Sequence, residues 1–235
     1  MENSTHKNAA IKDSLLKHSQ EYRVLATLRY IFPPLFKNMV LGEKPDLQDK
    51  ANSVGIEVTI AAKQEDLQTS RLFSKLSLSN PIKDPNNIKE HITSLEYALS
   101  DYYGYNRTSK SGGITSSEER IFKDSIRRKV EKVQDYRRLF PEIGLAILLT
   151  EIPVNEVEDS LICWLKQVVN EIGHSFDFFF VISERFCIYY DPEKEVSKKY
   201  YITDENDKRI RSIAKRTAEG EITIDSPEWN MESFL

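Results

Sequence analysis

The stretch VGIEVTIAA, residues 54–62, decides the fold class of this chain. β-Branched and small apolar residues fill it almost without a break, which is typical of a strand buried inside a sheet. Because side chains alternate along a strand, one face carries Val54, Ile56, Val58 and Ile60, and the other carries Gly55, Glu57, Thr59 and Ala61. A carboxylate in a buried strand is costly unless it is paired, hydrogen-bonded or bound to a cation. Glu57 is therefore the residue that needs an explanation.

Helical and strand patterns alternate on both sides of this strand. Apolar residues at helical spacing predict helices over residues 8–32, 115–139, 156–172 and 205–218, and further helices over 64–76 and 88–102. Apolar runs predict a strand over 143–151 and two more within 177–191, after a short extended stretch at 37–41. Residues 104–113 are predicted to form a mobile loop. The alternation favours a single α/β domain over residues 1–235, with a mixed β-sheet flanked by helices.

Composition excludes several classes of protein. Hydrophobic residues make up 40% and charged residues 30% of the 235, and no apolar run approaches the roughly 18 residues of a membrane span. The first residues lack the apolar segment of a secretion signal, so we expect a cytoplasmic protein without membrane contact. The cysteines and histidines have neither disulfide nor zinc spacing, and no glycine-rich phosphate loop occurs. Any metal is therefore expected to have oxygen ligands.

The charge is unevenly distributed along the chain. Its net value is -4, but residues 127–138, RRKVEKVQDYRR, carry six basic side chains against two acidic ones. A basic helix face of this kind can meet phosphates locally, although it also fits an ordinary solvated helix face. Both interpretations stay open at this stage.

A second carboxylate lies close to Glu57 in the sequence. Asp46 follows Pro45 and precedes the buried strand, so it would lie on the neighbouring strand if residues 49–53 form the connecting turn. Two converging carboxylates repel each other, and a divalent cation with oxygen ligands is the usual resolution. The alternative is structural: Asp46 forms a turn after proline, and Glu57 pairs with an Arg or Lys from a packing helix.

Pro45-Asp46 followed by Gly55-Ile56-Glu57-Val58-Thr59 resembles the motif of the PD-(D/E)XK nuclease superfamily. The resemblance implies a restriction endonuclease-like core of helix, three strands, helix and strand over about 10–151, with a helical insertion over about 80–114. Residues 152–235 would then extend the sheet and add helices. It also implies that Asp46 and Glu57 bind Mg²⁺ (or Mn²⁺), with the Val58 carbonyl as a third ligand.

The motif departs from the family at one position. Thr59 stands where the resemblance implies a lysine, and a threonine supplies no positive charge. Two lysines are candidates to replace it: Lys63, on the same strand parity, and Lys129, which interrupts an apolar helical stripe. Lys132 is a further candidate on that helix. Lys129 also fits a side chain that covers the core and extends its ammonium to water.

Glu21, in the first helix, resembles the acidic residue that often precedes the first core strand of the superfamily. Its structural alternative is a solvated helix glutamate. The implied activity is metal-dependent hydrolysis of phosphodiester bonds in nucleic acid, with DNA as the first expectation and an endonuclease as the form. The alternative is a catalytically inactive nuclease-like fold that binds nucleic acid or protein. A regulatory or immunity-type protein is a third possible class. The sequence leaves the oligomeric state open, and a homodimer is one possibility.

Overall fold

The computed structural model describes residues 3–62, 97–99, 105–107, 116–150, 154–173 and 175–231. Lys63 and the predicted helix over 64–76 lie outside the described residues, as do 88–96 of the next predicted helix and most of the predicted loop over 104–113. The described side chains begin at Lys17.

Helices and strands alternate through the described residues. The helices are α1 (Asn3–Ile31), α2 (Ser116–Arg137), α3 (Val154–Ile172) and α4 (Asp204–Ala218), followed by a 3₁₀ turn at Pro227–Trp229. The strands are β1 (Val40–Leu41), β2 (Leu47–Asp49), β3 (Val54–Ala61), β4 (Tyr97–Leu99), β5 (Tyr105–Arg107), β6 (Glu142–Leu149), β7 (Phe178–Ile182), β8 (Phe186–Asp191) and β9 (Val196–Tyr201).

Seven of these strands form one mixed sheet in the order β1-β2-β3-β6-β7-β8-β9. The pairs β1-β2 and β2-β3 are antiparallel, β3-β6 and β6-β7 are parallel, and β7-β8 and β8-β9 are antiparallel. The two central parallel pairs need crossover connections; α2 lies between β3 and β6 in the chain, and α3 lies between β6 and β7. The sheet flanked by helices confirms the predicted α/β class.

The two faces of the sheet carry separate hydrophobic cores. On one face, α2 and α3 pack against β6 and its neighbours through residues such as Phe122, Leu161 and Ile147. On the other face, α1 and α4 bury Leu25 and Ile213 with Ile56 and Val58 of β3, among others. The alternation predicted for β3 is therefore confirmed, because its Ile56–Val58 side and its Ala61 side belong to different cores.

The helix ends follow local chemistry. At the start of α4, the hydroxyl of Thr203 accepts a hydrogen bond from the Asn206 amide at 3.2 Å, and acidic residues occupy the first turn. The first turn of α2 also carries acids, Glu118 and Glu119. Pro141 follows soon after α2 and agrees with its end at Arg137.

The structure differs from the expectations of the sequence in two places. Residues 97–99, predicted as helix, form a strand that pairs antiparallel with β5, inside the predicted loop over 104–113. Tyrosine-rich segments favour extended backbone, and this preference outweighs the weak helical spacing there. The pattern of VSKKYY predicts no element, but these residues form the edge strand β9. Its lysines and its mostly exposed side chains conceal the strand pattern.

Within the described ranges, none of the helices has the length and apolar character needed to cross a membrane.

Candidate functional site

The candidate site lies at an open edge of β3. The pairing of β2 with β3 ends at Leu47 and Ile56, so β3 continues past the end of its neighbour. Asp46 immediately precedes β2, and its Oδ2 accepts a hydrogen bond from the Val58 amide at 2.9 Å. The structure therefore places Asp46 and Glu57 at the same edge, joined through the backbone of the residue that follows Glu57.

The backbone around Asp46 is fixed by close packing. The Lys44–Pro45 peptide bond is cis, the Asp46 carbonyl accepts from the Gly42 amide at 2.9 Å, and the Pro45 carbonyl accepts from the Gln48 side chain at 3.1 Å. Pro45 also lies against Gly55 of β3, where an added Cβ would be only 2.5 Å from Pro45 Cγ. A glycine at this position allows the proline, and with it Asp46, to approach the strand.

Glu57 is buried and points toward α2. Its Oε1 lies 2.6 Å from the Lys129 ammonium and 3.9 Å from that of Lys132. Its Oε2 is buried and has no hydrogen-bond partner among the described residues. Lys129, Lys132 and Tyr136 follow helical spacing on one side of α2, and burial together with the charge of Glu57 raises the pKa of the Tyr136 hydroxyl.

A third carboxylate reaches this region from α1. Glu21 is 2% exposed, and its Oε1 lies 3.1 Å from Lys17 Nζ, which also lies 3.3 Å from Asp46 Oδ1. His18 Nδ1 is 3.0 Å from the other oxygen of Glu21. Burial and the nearby charge of Asp46 raise the pKa of Glu21, although its contacts with His18 and Lys17 act in the opposite direction.

Thr59 has a structural contact. Its hydroxyl donates to the Ser125 carbonyl of α2 at 3.1 Å, so the side chain is buried beneath the helix. A positive charge reaches Glu57 from α2, through Lys129, and not from strand position 59. The N–H and C=O of one residue point to the same side of a strand, so the Val58 carbonyl faces the same edge as its amide.

The chemistry of these side chains fits a hard divalent cation in part. Their donors are carboxylate oxygens, the ligands that Mg²⁺ prefers. One buried oxygen, Glu57 Oε2, lacks a hydrogen-bond partner in the described part of the chain, whereas Glu21 Oε1 has the Lys17 ammonium at 3.1 Å. Within that same part, however, no group of three or more His, Cys, Asp or Glu side chains is arranged to hold a metal ion. Lysine ammonium groups instead lie against the carboxylates.

The site lies one side chain below the protein surface. The side chains of Lys17 and Lys132 are 62% and 56% exposed, whereas those of the carboxylates that they contact are almost completely buried.

The region contains six candidate residues from the sequence: Glu21, Asp46, Glu57, Val58, Lys129 and Lys132. Lys63 is not described. Sequence reasoning missed Lys17 and His18. They precede Glu21 by four and three residues on a helix, and this spacing could have identified them as its neighbours.

Comparison of the chain with protein-family models, with curated proteins and with solved structures finds no match.

Proposed function

We propose that this protein hydrolyses phosphodiester bonds of nucleic acid, with DNA as the first candidate substrate, in a metal-dependent reaction. The observation that carries the proposal is a chain of contacts among buried acids beside β3. Lys17 bridges the carboxylates of Glu21 and Asp46. Asp46 accepts a hydrogen bond from the amide of Val58, the residue after Glu57, and Glu57 in turn contacts Lys129. We also propose a cytoplasmic location, as the sequence predicts.

A purely structural ion pair explains this arrangement poorly. Buried polar atoms are normally hydrogen-bonded, and a salt bridge kept for stability alone is expected to have both carboxylate oxygens satisfied. Glu57 Oε2 has no such partner among the residues that the structure describes, whereas Glu21 Oε1 has the Lys17 ammonium at 3.1 Å. Local rules of this kind are most often broken at functional or strained sites, and a bound cation would satisfy Glu57 Oε2.

The residues divide into two roles. Asp46 and Glu57, with the Val58 carbonyl, would hold Mg²⁺ or Mn²⁺, and Glu21 adds negative charge beside Asp46. The bound ion would polarise the phosphate and lower the pKa of a coordinated water. Lys129 holds Glu57 in place through the 2.6 Å contact and brings a positive charge to the position where charge develops on a phosphate oxygen.

The order of the elements also supports the proposal. Along the chain, α1 precedes the antiparallel strands β1, β2 and β3, and α2 then leads to β6, which pairs parallel with β3. The resemblance to PD-(D/E)XK nucleases implies this order. Several basic residues of α2 are already paired with acids, such as Arg127 with Glu171 and Arg137 with Asp177. The exposed Arg128 lies on the helix that carries Lys129, and it could meet a phosphate backbone there.

One observation favours the second candidate, an inactive nuclease-like fold that binds nucleic acid or protein. Lys17 and Lys129 already neutralise the carboxylates, and threonine occupies strand position 59. In an inactive fold that no longer binds a metal ion, lysine side chains would neutralise the buried carboxylates, as they do here.

A cleavage assay separates the two functions. Supercoiled plasmid and single-stranded DNA are incubated with wild type, Asp46→Asn, Glu57→Gln and the control Glu205→Gln, an exposed glutamate on α4, with MgCl₂ or MnCl₂ or with EDTA. We expect cleavage by wild type and control with metal, and none by the two site variants. DNA binding without cleavage would favour the inactive fold, and cleavage that persists in Glu57→Gln would overturn the proposed site.

A further inference from the structure

Lys17 makes two charge contacts within the candidate site. Its ammonium lies 3.1 Å from Glu21 Oε1 and 3.3 Å from Asp46 Oδ1, so one cation bridges carboxylates from α1 and from the segment before β2. Asp46 Oδ2 is already engaged by the Val58 amide. Oδ1 is therefore the oxygen of Asp46 that remains for a metal ion, and Lys17 occupies it.

From this geometry we infer that Lys17 is a built-in counter-ion, which holds Glu21 and Asp46 together in the metal-free protein and competes with the divalent ion for Asp46 Oδ1. The inference rests on the proposed function, because it assumes that Asp46 is a metal ligand. It adds a residue that regulates loading of the site.

The contacts of Lys17 suit a cation that leaves easily. Its side chain is 62% exposed, so its ammonium can return to water at little cost. Its distances of 3.1 Å to Glu21 Oε1 and 3.3 Å to Asp46 Oδ1 are longer than those of the strongest ammonium–carboxylate pairs. Lys129 differs, because its ammonium is 2.6 Å from Glu57 and its side chain is only 20% exposed.

The carboxylates of Glu21 and Asp46 need a cation both in the metal-free and in the metal-bound protein. Without Lys17, the two buried acids would repel each other until a metal or a proton neutralised them. Removal of the ammonium should therefore weaken the metal-free fold and strengthen metal binding at the same time, a combination that loss of an ordinary salt bridge does not produce.

The test measures metal binding without using activity. The melting temperature of the full chain is recorded in EDTA and across a MgCl₂ titration, and the apparent Kd for Mg²⁺ is taken from calorimetry. The variants are Lys17→Met, the charge-keeping Lys17→Arg, and Lys208→Met, which removes an exposed helical lysine of α4 as a control for net charge.

For Lys17→Met we expect a lower melting temperature in EDTA, a larger stabilisation by Mg²⁺, and an apparent Kd lower than that of wild type by about fivefold, the change that ~1 kcal/mol produces. Lys17→Arg and Lys208→Met should bind Mg²⁺ like wild type. If wild type binds Mg²⁺ and Lys17→Met binds it equally or more weakly, the counter-ion role is wrong while the proposed metal site stands. If neither wild type nor Lys17→Met binds Mg²⁺, the proposed function fails, and this inference fails with it.

Discussion

Replacement of Lys129 by methionine tests the central contact of the site. The change keeps the length and the apolar stem of the side chain but removes the ammonium 2.6 Å from Glu57 Oε1. The Glu57 side chain is only 3% exposed, so its charge would stay buried, with Lys132, 3.9 Å away, as the remaining cation among the described residues. Loss of one partner from a fully buried pair costs about 3–5 kcal/mol. Because Lys132 remains and Lys129 is partly exposed, we expect a loss of roughly 2 kcal/mol.

The opposite change should cost less. In Glu57→Gln the Lys129 ammonium can turn toward water, so we expect a loss below about 1 kcal/mol. The double variant has neither charge and should lie within about 1 kcal/mol of wild type, which gives a coupling energy of about 2 kcal/mol. Lys132→Met is the control on the same helix; its more exposed and more distant ammonium should contribute less than about 1 kcal/mol.

Urea denaturation of the five proteins, wild type, the three single variants and the double variant, at neutral pH in EDTA measures these differences. If the losses of Lys129→Met and Glu57→Gln add to within about 0.5 kcal/mol in the double variant, the two groups do not interact and the reasoning is refuted. Where wild type cleaves DNA with Mg²⁺, Lys129→Met should reduce cleavage by about 10²-fold or more, because it loses a preorganised charge at the phosphate.

Three further predictions concern the surroundings of the site. Burial and the charge of Asp46 hold the pKa of Glu21 above its ordinary 4.5, so the folded state binds this proton more tightly than the unfolded state and stability falls as the pH rises from 4.5 toward neutral. Glu21→Gln should therefore gain stability relative to wild type across this range in urea denaturation, and a difference that does not change with pH would contradict the assignment. Gly55→Ala places a Cβ 2.5 Å from Pro45 Cγ, and we expect a loss of about 1–3 kcal/mol and a smaller Mg²⁺-induced rise in melting temperature, which an unchanged rise would disprove. Asp207→Asn removes the carboxylate that lies 3.1 Å from the Arg23 guanidinium, between α1 and α4, and 2.7 Å from that of Arg211. Thermal and urea unfolding should show a loss of about 3 kcal/mol, and a loss below about 1 kcal/mol would show that the pair is not needed.

Several features of the fold follow from the local sequence. The apolar run of β3 and the alternation that places Glu57 and Thr59 toward α2 follow from the period of a strand, which is a property of the backbone itself. Helix spacing likewise predicted α4 nearly to its ends. The edge strand β9 was not predictable in this way, because an exposed strand rich in lysine has no buried face to reveal its period.

The candidate site likewise has features that the sequence predicts and features that depend on the tertiary structure. The sequence by itself determined that a carboxylate lies in a buried strand, and that it needs a cation or a partner. Only the tertiary structure decided which cations meet the acids: Lys129 reaches Glu57 across 72 positions of the chain, and Lys17 reaches Asp46 from α1. Contacts between distant segments depend on how helices cross the sheet and on the register of β2 against β3, and these follow from packing of the whole core.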